Sequence, residues 1–127
     1  MSTKEIGDIG ECFDEQYLIN KGLTILARNF RYRHGEIDII AKSENRLHFV
    51  EVKSRKPHPM VDPVYSITYE KMRHIVYESA DYQKRNKTTD KEMFDVVFVE
   101  IEDGIVYNIK YCQNVFIRPA HKAIKEE

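Results

Sequence analysis

The sequence predicts an α/β domain, a mixed sheet flanked by helices, with elements in the order α-β-β-β-α-β-β. Three observations carry this. Short runs with two-residue apolar alternation follow one another between residues 23 and 54. A stretch of helical period covers 66–86, and a β-branched run at 94–101 comes after it. That run ends in Asp103-Gly104, a dipeptide that favours a two-residue hairpin. A chain of 127 residues fits one domain, taken as 1–127. Hydrophobic residues at 42% and charged residues at 32% exclude wholesale disorder.

The elements follow in order. Ser2 and Glu5 fit a capping box, and Ile6, Ile9, Phe13 and Tyr17 recur at helical spacing, so a helix is expected over about 4–21, stopped by Gly22. Gly7 and Gly10 inside it cost about 1 kcal/mol each, which suits close packing against another element. LTILARNFR (23–31) reads as a strand with Leu23, Ile25 and Ala27 on one face and Leu26 on the other. YRHG (32–35) is a turn, EIDIIAK (36–42) a strand, SENR (43–46) a turn and LHFVEVKS (47–54) a strand. RKPHPMVDPV (55–64) holds three prolines and reads as an irregular loop. In 66–86 the residues Tyr69, Met72, Ile75, Val76, Ser79, Ala80 and Tyr82 keep a helical period, and NKTTDKE (86–92) is turn-like. FDVVFVEI (94–101) and IVYNIKY (105–111) form the last hairpin, and a charged tail begins near Pro119. A helical crossover between parallel strands should be right-handed.

Charge and cysteine content narrow the function classes. The formal net charge is −1, so polyanion binding must use a local basic patch rather than the whole surface. Cys12 and Cys112 have neither disulfide-framework nor zinc spacing, which favours a reducing compartment. No apolar run approaches ~20 residues, and MSTKEIGDIG lacks the apolar region of a secretory signal. A cytoplasmic location with no membrane association is expected.

The informative anomaly lies in the strands. In LHFVEVKS, Leu47, Phe49, Glu51 and Lys53 share one face, and His48, Val50, Val52 and Ser54 share the other. Both faces begin apolar, as in a central strand covered on both sides. Glu51 and Lys53 therefore continue a core face, where ionised groups need partners. In the preceding strand Ile37, Ile39 and Ala41 form one face, and Glu36, Asp38 and Ile40 the other. If Lys42 pairs with Leu47, Asp38 lies opposite Glu51 and Glu36 opposite Lys53, about 5 Å apart. A one-residue slip would send the carboxylates to different faces. Paired carboxylates raise one another's pKa unless a cation lies between them. Their hard oxygens suit Mg²⁺ or Mn²⁺, and a lysine beside such a pair suits phosphodiester hydrolysis. On the residues alone, a solvated hairpin face with a Glu36–Lys53 pair stands equally open.

Asp38, twelve residues and Glu51-Val52-Lys53 resemble the D-x(n)-(D/E)-x-K signature of the PD-(D/E)XK nuclease superfamily, whose core order is α-β-β-β-α-β. More specific are Gly7, Gly10 and Glu11, Tyr17-Leu18, Gly22, Ile25-Leu26, Arg28-Asn29, GEIDII at 35–40, FVEVKSR at 49–55, Lys71 and FDVV at 94–97. Together they resemble the YraN-like family of predicted endonucleases, similar to Holliday-junction resolvases. The resemblance implies a restriction-endonuclease-like core, with Asp38, Glu51 and Glu11 as metal ligands and Lys53 as the catalytic lysine. It implies a metal-dependent endonuclease of DNA, including branched or structured DNA, with Mg²⁺ or Mn²⁺ as cofactor. Asp14 stands where the family pattern has a small residue, and Asp62-Pro63 where its loop has a glycine.

Candidate phosphate contacts are Arg28, Arg31 and Arg33, interleaved with Phe30 and Tyr32, then Arg55, Lys56 and Lys71. For Arg28 to Arg33, a solvated turn whose aromatics cover the core is an equal alternative. Lys71 also reads as a plain surface lysine, and QKRNK (83–87) as a cationic helix end. His48 and His74 read as structural or surface residues. The expected partner is nucleic acid, DNA ahead of RNA, with a homodimer or a protein partner as additions. The alternative function is a non-cleaving nucleic-acid-binding or adaptor module on the same fold.

Overall fold

Close-spaced alternating runs with short turns pair with their sequence neighbours, and this chain does so throughout its sheet. The computed structural model describes residues 14–33, 35–56 and 68–115. The strands are β1 (Thr24–Arg31), β2 (Glu36–Ser43), β3 (Arg46–Arg55), β4 (Lys91–Glu102) and β5 (Ile105–Cys112). They form one sheet in the order β1-β2-β3-β4-β5. Only the β3–β4 pair is parallel among these neighbours. Residues 14–20 are the described part of α1, and α2 (Tyr69–Asn86) lies in sequence between β3 and β4. Parallel strands need such a crossover, so the α-β-β-β-α-β-β order yields a mixed sheet.

The turns differ from expectation in length. Ser43 pairs with Arg46, so the β2–β3 turn is Glu44-Asn45 alone, with Glu44 left-handed at φ 43°. The predicted four-residue turn is shorter because the ladder runs one pair further. At the last hairpin Asp103 and Gly104 both have positive φ, 52° and 77°, the backbone of a type I′ turn. The stretch 86–92 is not all turn. Lys87 caps α2 in a left-handed conformation at φ 53°, and β4 already begins at Lys91. The α2 N-cap is Thr68, whose hydroxyl accepts from the Lys71 N–H at 3.1 Å.

Both faces of the sheet are buried at its centre. On one, Ile40, Leu47, Phe49, Phe94, Val96 and Phe98 pack with Ile75 and Val76 of α2. On the other, Ile39, Ala41, Val50, Val97, Val99 and Ile101 pack with Leu18 of α1. Phe49 stacks on Phe94, and Tyr82 meets the edges of Phe30 and Phe49. Each fully buried phenylalanine contributes roughly 2–3 kcal/mol. β1 departs from its predicted alternation. A bulge between Ile25 and Ala27 leaves Leu26 exposed and turns Ala27 onto the α2 side, away from Ile25.

Candidate functional site

The site is built on a coordinated break in two strands. Ile39 and Ala41 pack on the α1 side, and Ile40 on the α2 side. Strict alternation would place Ile37 with Ile39, but Ile37 packs on the α2 side. β1 switches in step, since Ala27 and Phe30 both pack on the α2 side. Arg28 pairs with Ile39 and Phe30 with Ile37; between these pairs fall Asp38 and Asn29, the latter left-handed at φ 49°. The predicted face of Ile37 is thus corrected by a local twist that no two-residue period contains.

The twist aims the Asp38 carboxylate at β3. The β2–β3 ladder ends at Ile39–Val50 in the Lys42–Leu47 register, one residue short of Asp38 and Glu51. There Asp38 Oδ2 accepts from the Val52 N–H at 2.8 Å. A side-chain oxygen takes the place of a ladder carbonyl, so Asp38 is held by the β3 backbone as well as by its side-chain hydrogen bond with Glu51.

Glu51 is 7% exposed and continues the apolar face of Leu47 and Phe49. Its carboxyl is raised from 4.5 to about 8, first by burial, then by the charge and hydrogen bond of Asp38, with Lys71 acting in the opposite direction. Its Oε2 is buried without a well-formed hydrogen bond and lies 3.4 Å from Lys71 Nζ. Lys71 is therefore part of this cluster rather than a plain surface lysine. Sequence spacing could not reveal this, because the contact depends on where α2 docks. Lys53 lies two residues beyond Glu51 on the same face, half-buried, with no ion pair to another described residue. Its expected partner Glu36 turns instead to Arg31, at 3.0 Å. Glu11 lies outside the described residues.

The other sequence candidates separate by partner. Arg28 is paired with Glu15, and Arg31 with Glu36. Arg55 lies over the Phe98 ring, 4.9 Å from its centroid, and 3.9 Å from Glu100. Lys56 is exposed at the end of β3. Arg33 lies over the exposed Tyr32 ring. Asp14 is fully buried, and Asp62-Pro63 lies outside the described residues.

A second polar group escaped sequence reasoning. His48 Nδ1 meets Asp95 Oδ2 at 2.7 Å, and His48 Nε2 meets Ser43 Oγ at 2.7 Å. The Tyr111 hydroxyl donates to Asp95 Oδ2, and the Asn114 N–H donates to Asp95 Oδ1 at 2.9 Å. Burial and the Asp95 carboxylate push the Tyr111 hydroxyl upward. His48 and Asp95 are enclosed in the sheet, at 2% and 0% exposure, which gives the group a structural role. An acidic residue inside the β-branched run 94–101 was the available signal.

The Asp38–Glu51 pair offers hard oxygen donors and a buried, incompletely satisfied carboxylate, a donor set that suits a divalent cation. Among the described residues no group of three His, Cys, Asp or Glu side chains is gathered for a metal. Also among them, no helix is long and apolar enough to cross a membrane, and Cys112 is a free thiol.

Sequence comparison places these residues in a wider group. The profile of "Uncharacterised protein family UPF0102" matches residues 10–99. A UPF0102 protein of Dictyoglomus turgidum is 38% identical over 118 residues, covering 91% of this chain and 100% of its own length. One from Clostridioides difficile is 38% identical over 117 residues, covering 91% and 100%. One from Dichelobacter nodosus is 39% identical over 116 residues, covering 91% of each chain.

Proposed function

The chain belongs to the uncharacterised protein family UPF0102, and we propose that it is a metal-dependent endonuclease hydrolysing DNA phosphodiester bonds on a PD-(D/E)XK-type core. The observation that carries this reading is Glu51, a buried carboxyl raised to about 8 beside Asp38, with Lys53 two residues further along the strand. A buried carboxyl beside a second carboxylate destabilises the fold as it ionises, and a function explains its retention. The β-β-β-α-β order of the described elements and the parallel β3–β4 pair agree with such a core.

In this reading Asp38 and Glu51 hold Mg²⁺ or Mn²⁺, and Glu11 is a third candidate ligand. When bound, such an ion supplies a polarised phosphoryl oxygen and an acidified water. The chain's own groups do the rest. The Val52 N–H orients Asp38. Lys71 Nζ, 3.4 Å from Glu51 Oε2, favours the ionised form of that carboxyl. Lys53, with no described carboxylate holding it, would offset charge developing on the phosphate.

The test is cleavage with Mg²⁺ or Mn²⁺ on single-stranded, duplex, flapped and four-way-junction DNA, with matching RNA. Glu51→Gln protein purified in parallel controls for contaminating nuclease. Loss of activity by at least a hundredfold in Glu51→Gln is expected, together with a metal-induced rise in Tm that this variant lacks. Equal activity in both proteins, or no metal-induced shift, overturns the assignment.

One observation favours a second reading, a non-cleaving nucleic-acid-binding or adaptor module. Lys71 already offers Glu51 a charge partner within the chain. Salt-dependent DNA binding without metal-dependent cleavage distinguishes it.

A further inference from the structure

The arginines of residues 28–33 are not equivalent in the folded chain. Arg28 and Arg31 are neutralised by Glu15 and Glu36. Arg33 is exposed and has no carboxylate partner among the described residues. Its guanidinium lies 5.1 Å from the centroid of Tyr32. A second guanidinium, that of Arg85 near the end of α2, lies 4.4 Å from the same ring. Arg85 is also exposed and also lacks a carboxylate partner among the described residues. Two uncompensated cations thus meet on one aromatic ring that is itself 44% exposed.

The local structure holds this cluster in place. Phe30 packs edge-on against Tyr82 of α2, at 5.2 Å, and fixes the end of β1 beside the helix. Gly35, at φ +138°, adopts a backbone that side chains disfavour, and a Cβ there would lie 3.8 Å from His74 Cβ. The β1–β2 turn is therefore laid along the flank of α2, the helix that also sends Lys71 to Glu51. Both guanidiniums are exposed cations, and the contact of such a cation with a ring is weak. An anion between them would gain more than either contact supplies.

We infer that Tyr32, Arg33 and Arg85 form a binding site for an unpaired nucleotide of a nucleic-acid strand. Arg33 and Arg85 take the phosphate, and the base stacks on Tyr32 or on a guanidinium plane. Stacking on this ring or on a guanidinium plane above it selects for an unpaired base, because in a duplex the base faces are already covered. Paired phosphates alone would need only the cations. This inference deepens the nuclease reading by naming the strand the protein grips, and it also holds for a module that does not cleave.

The test is fluorescence anisotropy in EDTA, where no cleavage occurs. The probes are labelled oligodeoxythymidylate and a duplex of the same length. Tyr32→Leu keeps an apolar side chain but removes the ring. It should weaken single-strand binding by roughly tenfold and duplex binding far less. Arg33→Gln with Arg85→Gln should lower the salt slope by about two. Arg31→Gln, whose partner is Glu36, should leave the slope nearly unchanged. Equal losses on both probes with Tyr32→Leu reduce the site to a charge patch and overturn the proposal. An unmoved salt slope in the double arginine variant, or no binding of either probe at low salt, also overturns it. Should Tyr32→Leu fail to fold, the double arginine variant still decides: a loss confined to the single strand supports the site, and equal losses on single strand and duplex overturn it. Persistent cleavage in Glu51→Gln would remove the nuclease reading and leave these binding results standing.

Discussion

Glu51 shows how one residue couples function to stability. Its carboxyl titrates near 8 in the folded chain against 4.5 in the ordinary state, mainly because it is buried. Folding therefore takes up a proton between those values. The stabilisation this gives is fully present below pH 4.5 and is lost as pH rises through 8. In EDTA, Glu51→Gln should gain stability over the native chain by roughly 1–4 kcal/mol between pH 5 and pH 9, measured by urea denaturation. A difference independent of pH would remove burial as the cause. The two neighbours of Glu51 push its titration in opposite directions. Asp38→Asn, which can still accept from the Val52 N–H, should lower the Glu51 midpoint, and Lys71→Met should raise it. Carbon-detected NMR titration of the Glu51 carboxyl would read both shifts. Asp38 and Glu51 were legible as candidates because charged residues interrupt apolar strand faces. Lys71 was legible as a candidate phosphate contact, but its pairing with Glu51 was not, since that depends on a helix docking against a strand twenty residues away.

At the scale of elements, the strands are joined by more than their ladders. The Ser43–His48–Asp95–Tyr111 group ties β2, β3, β4 and β5 together across the sheet. Asp95 is its hub, and it also accepts from the Asn114 N–H just after β5. Asp95→Ala would strand a buried imidazole, a half-buried hydroxyl and a backbone N–H, at a cost of roughly 3–5 kcal/mol. Ser43→Ala, at the margin of the group, should cost only about 1 kcal/mol. Thermal denaturation of the two variants gives the comparison, and near-equal costs would contradict the hub role. The hydrophobic periods showed where these strands lie. They could not show the bulge beside Leu26 or the joint twist at Asn29 and Asp38. Those irregularities arise from fitting β1 and β2 around two cores at once, a condition absent from either strand alone.

For the whole molecule, the sheet is strongest at its parallel centre. β3 and β4 carry the residues buried on both faces, whereas β5 is an edge strand that exposes Ile105 and Tyr107. Amide hydrogen exchange should be slowest in β3 and β4 and faster in β1 and β5, with the difference set by local opening. Protection in β5 equal to that in β4 would show that the hairpin opens only with the whole sheet. The cluster around Glu51 lies on the strongly built strand, and the cluster around Tyr32 lies on the first turn of the meander. A rigid strand suits groups that must hold a charge in a fixed place, and an exposed turn suits groups that adapt to a flexible ligand.

The sequence by itself determined the α/β class, the element order and the strand carrying the charges, and it left the β2–β3 register open between Lys42–Leu47 and a one-residue slip. These follow from periodicity and from turn residues, which act over a few positions. Only the tertiary structure decided which charges meet. It turned Ile37 to the α2 side and Glu36 to Arg31, brought Lys71 to Glu51, enclosed His48 with Asp95, and set Arg85 against Tyr32. Each of these contacts depends on two elements packing together. Side-chain reach, burial and desolvation exist only once the elements have docked, so the electrostatics of this chain belong to its packing rather than to its local pattern.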